Sequence, residues 1–327
     1  MTKRKDNRKK SMTSGKSDIL IPEYFKAKIR RCFGIKGANW LSRLDELLNR
    51  CLIKWNLANC HLAANLSVNL VCFADSPDYG SVVLKIGVPH PELYTEMTAL
   101  SLYNGGNICL CYDSDIDIGA MLLERVIPGH NLTVLQHERE CIEIAADVIS
   151  TLPIPVNDDN ILPSFSDWLE KAFSRVRREN KVGREWLFFV DQAERLFQEI
   201  DDLERKKVLL HGDLHHENIL YDKTGQWKAI DPKGVIGIPC MESARFIQNQ
   251  LEKVNLKDKS SCLEEMATVF GTAFERPKRT IAICAFIDCV LSRCWTFEEY
   301  LEPEELSEAR TEAINSSEFY LNFIKNI

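Results

Sequence analysis

The stretch VLLHGDLHHENILY, residues 208–221, sets three histidines, two acids and an asparagine between short aliphatic runs. Within it Asp213 and Asn218 stand five positions apart, behind His211 and Gly212. That step lets one loop aim a carboxylate at an attacking hydroxyl and an amide oxygen at a metal ion, as phosphoryl transfer from a nucleotide requires. Thirteen residues beyond Asn218, Asp231 in WKAIDPKG offers a second carboxylate for the metal. Upstream, Lys85 lies at the end of the strand-like run SVVLKIG, and Glu96 follows eleven residues on in a helical run. A phosphate-binding lysine and the carboxylate that holds it belong on those elements. Together the five positions point to a kinase-type site for ATP and Mg2+.

Other chemistry fits these residues less well. His211, His215 and His216 invite a zinc cluster, but neighbours in an extended loop point in different directions and no Cys or further His adjoins them. His211 is therefore expected to bond to backbone, and the other two to support the loop. Asp213 as a mere turn former is the bland alternative, and Glu92, one turn before Glu96, competes for the partnership with Lys85. Lys233 reaches a phosphate or pairs with an acid, the second being preferred. Trp40, Trp55 and Trp168 read as packing residues.

These residues need elements to hold them. Apolar positions at helical spacing over 22–33 and 38–56 predict two opening helices. The period then shortens: SVNLVCFAD and YGSVVLKIG, separated by SPDYG, predict an antiparallel hairpin. PELYTEMTALSLYNGG predicts a helix with Pro near its start and Gly after its end. NICLCYD and GAMLLERV complete a small sheet, IPGHN at 127–131 marks a break, and helices follow over 133–150, 164–179, 184–204 and from 240 onward. The expected organisation is a disordered basic tail (1–19), a nucleotide-binding lobe (20–126) and a larger catalytic and substrate-binding lobe (127–327), with a cleft between the lobes.

Composition narrows the class. The chain has 327 residues, 45% of them hydrophobic, enough for a sizeable core. No run approaches the roughly 18 apolar residues of a membrane span, and the first residues lack the apolar segment of a secretory signal, so a cytoplasmic protein is expected. The first seventeen residues hold seven Lys or Arg against one Asp, and subtracting this +6 from the total of −7 leaves −13 on the remainder. An acidic body argues against a nucleic-acid partner and suits a small cationic hydroxylated substrate; no membrane partner is expected, and oligomeric state is left open. The acidic stretch TFEEYLEPEELSEARTE, residues 296–312, reads as a solvated helical face, with a wall for a polyamine substrate as the weaker reading. Twelve scattered cysteines form no zinc or redox spacing, and Cys284, Cys289 and Cys294 fall in an apolar helical run as core residues.

LLHGDLHHENIL with AIDPKGVIG resembles the aminoglycoside phosphotransferase family, and the IDPKG form is most similar to its streptomycin 6-phosphotransferase and hydroxyurea phosphotransferase branch. The likeness extends to GANWLSRLDELLNRCLIKWNL, VVLKIGVPHPELYTEMTAL and AMLLERVIPG, so it spans most of residues 37–245. It implies an α+β, two-lobed protein-kinase-like fold with a small antiparallel sheet and a larger helical lobe. By the same resemblance Asp213 orients or deprotonates the substrate hydroxyl, Asn218 and Asp231 hold Mg2+, and Lys85, kept in place by Glu96, contacts the α and β phosphates. Glu124 to Val126 would be the hinge that reads the adenine ring. The family's nucleotide loop corresponds to HLAANLSVN, which has no glycine, leaving Ser67 and Asn69 as candidate donors to the phosphates. The implied function is ATP-dependent phosphorylation of an aminoglycoside-type antibiotic, streptomycin foremost. The alternatives are a kinase of hydroxyurea or another metabolite, and a nucleotide-binding pseudokinase, which the presence of both Asp213 and Asp231 disfavours.

Overall fold

The structure, a computed structural model, describes residues 19–156, 162–179, 182–204, 206–298 and 302–327. All but the last residue of the expected basic tail, and residues 299–301 of the acidic stretch, lie outside the described residues. The chain divides into two compact units: one runs to Pro89 and takes in Asp113–Leu123, the other holds His90–Tyr112 and Glu124–Ile327.

The first unit opens with helices α1 (Glu23–Ser42) and α2 (Leu44–Lys54). The expected gap between them lies within α1, where Gly34 has φ 54° and ψ −130°, and a second break falls at Arg43. Strands β1 (Ala58–Leu62), β2 (Asn69–Ser76) and β3 (Gly80–Gly87) follow. The predicted hairpin forms in a register from Asn69 opposite Gly87 to Ser76 opposite Gly80. Alternation buries Leu70, Cys72 and Ala74 from β2 and Val82, Leu84 and Ile86 from β3. After helix α3 (Pro91–Tyr103) come β4 (Cys111–Asp115) and β5 (Ala120–Glu124), completing a five-stranded sheet in the order β1-β2-β3-β5-β4. The run NICLCYD is divided rather than one strand: Cys109 N–H donates to Ala229 O at 2.9 Å and Ala229 N–H to Asn107 O at 2.7 Å, so only its second half enters this sheet.

The second unit continues with β6 (Pro128–Asn131), α4 (Glu138–Thr151), β7 (Ile154–Pro155), α5 (Phe165–Glu179) and α6 (Gly183–Leu203). IPGHN is thus a strand rather than a bare break, and α4 begins later than the apolar period suggests. Asn131 accepts from the Thr133 N–H at 3.1 Å and caps a short 3-10 turn over Leu132–Val134 before the helix can start. Next are β8 (Val208–Leu210), β9 (Ile219–Asp222), β10 (Trp227–Ala229) and β11 (Val235–Gly237), forming two small sheets in the orders β10-β9-β6 and β11-β8-β7. Helices α7 (Ala244–Lys253), α8 (Lys259–Ala273), α9 (Lys278–Thr296) and α10 (Pro303–Lys325) end the chain. The core of this unit is α9, buried along Ile281–Leu291, with Cys284, Cys289 and Cys294 among its inner residues. All twelve cysteines are free thiols. Among the described residues no helix is long and apolar enough to cross a membrane.

Candidate active site

Two antiparallel pairs present the polar loop. Strand β8 pairs with β11, Leu210 opposite Val235, and β9 pairs with β10, so the loop from His211 to Asn218 and the segment Ile230–Gly234 are held side by side. Lys233 N–H at 2.8 Å and Gly234 N–H at 3.1 Å both donate to His211 O, and Ile230 N–H donates to Asn218 O at 2.9 Å. Two glycines permit this approach. Gly212 has φ +80°, and a Cβ there would stand 2.8 Å from Val235 Cγ1; Gly234 has φ +73°, and a Cβ would stand 2.7 Å from Ala99 Cβ. Asp231 also adopts a left-handed conformation, φ 64°, with its side chain exposed.

His211 is fully buried and donates from Nε2 to Ile230 O at 2.7 Å, leaving Nδ1 to accept from the Asp213 N–H at 3.3 Å. Burial lowers its pKa to about 4, against the opposing pull of the Ile230 carbonyl, so the ring is neutral. Beneath it Glu242, 2% exposed, accepts from His211 N–H at 2.6 Å and Gly212 N–H at 3.1 Å. Burial pushes the Glu242 carboxyl up to about 7, although both N–H bonds act to lower it.

Asp213 projects from this frame between two cations, Lys233 Nζ at 3.6 Å from Oδ2 and Arg245 Nε at 3.4 Å from Oδ1. Burial raises its carboxyl, but Lys233 and Arg245 overcome that and hold it below the usual carboxylate value. Arg245 on α7 is fixed in turn by buried Asp288 on α9, Nη2 to Oδ1 at 3.2 Å. Asn218 donates from Nδ2 to Asp213 O at 3.0 Å and contacts His215 Nε2 at 3.3 Å, so its Oδ1 is not engaged in either contact. An amide oxygen and the exposed Asp231 carboxylate are hard oxygen donors of the kind that could hold Mg2+. His216 stacks on Phe246 at 4.1 Å and its Nε2 meets Gln250 Oε1 at 2.6 Å, so it braces the loop from behind.

The remaining expected residues fall as follows. Lys85 lies on β3 of the first unit and Glu96 on α3 of the second; both are buried, where a charge requires a partner. Ser67 is exposed and its Oγ accepts from Lys28 Nζ at 3.1 Å. Glu124 ends β5, where its carboxylate accepts from Leu110 N–H at 3.1 Å and pairs with Lys228 Nζ at 2.8 Å; Val126 is buried. Asp213, Asn218 and Asp231 come together in one unit with four residues that the sequence motifs did not reveal: Glu242, Arg245, Asp288 and Trp295. One signal was present, a lone carboxylate inside the apolar run AICAFIDCVLS, since such a charge is buried only with a partner.

Known proteins resemble this chain in sequence and in fold. The sequence model of the aminoglycoside/hydroxyurea antibiotic resistance kinases matches residues 54–299. The streptomycin 6-kinase of Streptomyces glaucescens is 27% identical over 230 residues, covering 68% of this chain and 72% of that protein. The hydroxyurea phosphotransferase of Kitasatospora aureofaciens is 26% identical over 213 residues, covering 64% of this chain and 62% of that protein. In three dimensions an amicoumacin kinase, solved with AMP-PNP, Ca2+ and Ami, superposes with a TM-score of 0.62 at 16% identity, covering 86% of this chain and 96% of that one. The fold is therefore kinase-like, with its antiparallel sheet in the N-terminal region and helices dominating the remainder. The chain belongs to the aminoglycoside/hydroxyurea antibiotic resistance kinase family and is an ATP-dependent phosphotransferase acting on hydroxyl groups.

Proposed function

We propose that this kinase phosphorylates an aminoglycoside-type antibiotic, with streptomycin as the acceptor best supported by its relatives. The observation that carries the reading is the built geometry of Asp213, an ionised carboxylate clamped between Lys233 and Arg245 on a loop braced by Glu242. A carboxylate held so is a weak base, and it acts chiefly by accepting a hydrogen bond from the acceptor hydroxyl and fixing its line of attack. Phosphoryl transfer through a loose transition state demands such positioning more than early proton removal. Asn218 Oδ1 and Asp231 would hold Mg2+, which neutralises charge on the phosphates when bound. Lys85, with Glu96 as its support, would contact the α and β phosphates, Glu124 to Val126 would meet the adenine ring, and Ser67 would lie near the phosphates. Similarity to the streptomycin 6-kinase favours a ring hydroxyl as acceptor; similarity to the hydroxyurea phosphotransferase makes hydroxyurea the second reading.

The test is incubation with Mg2+ and ATP against streptomycin, other aminoglycosides and hydroxyurea, read by mass spectrometry. Gain of one phosphoryl group on streptomycin is expected; transfer to hydroxyurea alone, or to no member of the panel, would overturn the choice of acceptor.

A further inference from the structure

Two tryptophans lie beside Asp213. Trp168 on α5 and Trp295 on α9 meet edge to face, their ring centroids 5.7 Å apart at 75°. A Cβ on Gly212 would stand 3.0 Å from Trp168 Cη2, so this indole lies against the residue that precedes Asp213. Trp295 lies beneath the two cations that clamp Asp213, with Lys233 Nζ 5.4 Å and Arg245 Cζ 5.9 Å from its ring centroid. Both indoles are thus one contact away from the reacting carboxylate.

Their exposure, shared with Trp227 on β10, differs from that of the other three tryptophans. Trp186, Trp40 and Trp55 are buried at 0%, 6% and 7% exposure, whereas Trp168 and Trp295 stay partly in water. An indole left partly exposed forgoes much of the apolar burial that so large a side chain offers. Among the described residues neither of the two indole N–H groups meets a protein acceptor, which holds also for buried Trp40 and Trp186, while the Trp55 N–H donates to Asp113 Oδ2 at 2.7 Å. Partly exposed indoles whose N–H groups meet no protein acceptor suit one kind of ligand surface, the C–H face of a saturated ring whose rim carries hydroxyls. Lys233 and Arg245 already bring two positive charges to Asp213. A cationic acceptor therefore turns its charged groups away from them and offers a neutral ring face at this point.

Resting on the phosphotransferase role of Asp213, we propose that Trp168 and Trp295 form the wall on which the acceptor ring lies, selecting a hydroxylated sugar or cyclitol ring over a small flat urea. One face of the ring covers the indoles, its rim hydroxyls accept the indole N–H groups, and one further hydroxyl is delivered to Asp213.

Binding of streptomycin, inositol and hydroxyurea, measured by isothermal titration calorimetry without nucleotide, tests the wall separately from transfer. Streptomycin should bind the wild type and bind Trp168→Ala and Trp295→Ala roughly tenfold more weakly, the scale of one lost aromatic contact with its hydrogen bond. Trp168→Phe and Trp295→Phe, which keep a ring face and lose the N–H, should fall between, and melting curves identify any variant that fails to fold. Equal affinity in the wild type and the folded variants, or binding of hydroxyurea with neither ring compound bound, or no binding at all, would overturn the wall. Streptomycin bound through the indoles but not phosphorylated would leave the wall standing and remove streptomycin as substrate. Streptomycin phosphorylated with an unchanged KM in the Trp variants would do the reverse.

Discussion

Glu242→Gln should alter the pH dependence of stability in a way no surface substitution does. Glu242 is buried, receives the N–H groups of His211 and Gly212, and has its carboxyl raised to about 7 by burial. In the unfolded chain the same group titrates near 4.3. Between those values the folded protein carries a proton at this site that the unfolded chain lacks. The contribution is therefore fully present below about pH 4 and is lost as pH rises through about 7. At about 1.4 kcal/mol per pH unit, the span from pH 5 to pH 7 weakens folding by about 2–3 kcal/mol through this one group. Glutamine carries no such titration, but its amide replaces an acceptor oxygen with a donor facing a backbone N–H, costing about 1–3 kcal/mol at all pH values. Urea melts of both proteins at pH 5, 6, 7 and 8 test this, because groups common to the two chains cancel in the difference. The gap between wild type and Glu242→Gln should be widest at pH 5 and close by about 2–3 kcal/mol toward pH 7. A gap that stays constant across that range would refute the assignment of a proton to Glu242.

Three further outcomes follow from the same geometry. Asp213→Asn should lower kcat by about 10²- to 10⁴-fold while leaving ATP affinity unchanged by equilibrium binding; retained turnover would refute the role of Asp213. Gly212→Ala places a Cβ 2.8 Å from Val235 Cγ1 at φ +80°, and should destabilise the fold by about 2–4 kcal/mol in urea melts. Asp288→Leu strips Arg245 of its buried partner and should cost about 3–5 kcal/mol, whereas Arg245→Met combined with Asp288→Leu should recover most of the loss; a double variant no more stable than the single would show that the pair is not a unit.

Much of the framework was legible because it depends on local rules. The β2–β3 hairpin follows from two β-branched runs around SPDYG, and α5 and α6 lie close to the bounds their apolar periods suggest. The elements that departed from expectation each answer to something beyond their own period. Strand β6 pairs with β9 some ninety residues on, α4 is delayed by the Asn131 cap, and the start of NICLCYD is drawn to Ala229. Trp168, read as a packing residue, does pack on Phe165 and Trp295, but it also lies against the loop glycine, a place no helical period discloses.

The amino-acid sequence by itself determined the order of the elements, the loop that carries Asp213 and Asn218, and the short strands that flank it, because hydrophobic period and turn chemistry act between near neighbours. Only the tertiary structure decided what surrounds Asp213. Glu242 reaches back 31 residues to the His211 N–H, Arg245 meets Asp288 43 residues ahead, and Trp168 meets Trp295 from another helix. Such contacts depend on how α5, α7 and α9 pack, and packing is set by the fit of many side chains at once rather than by any spacing along the chain.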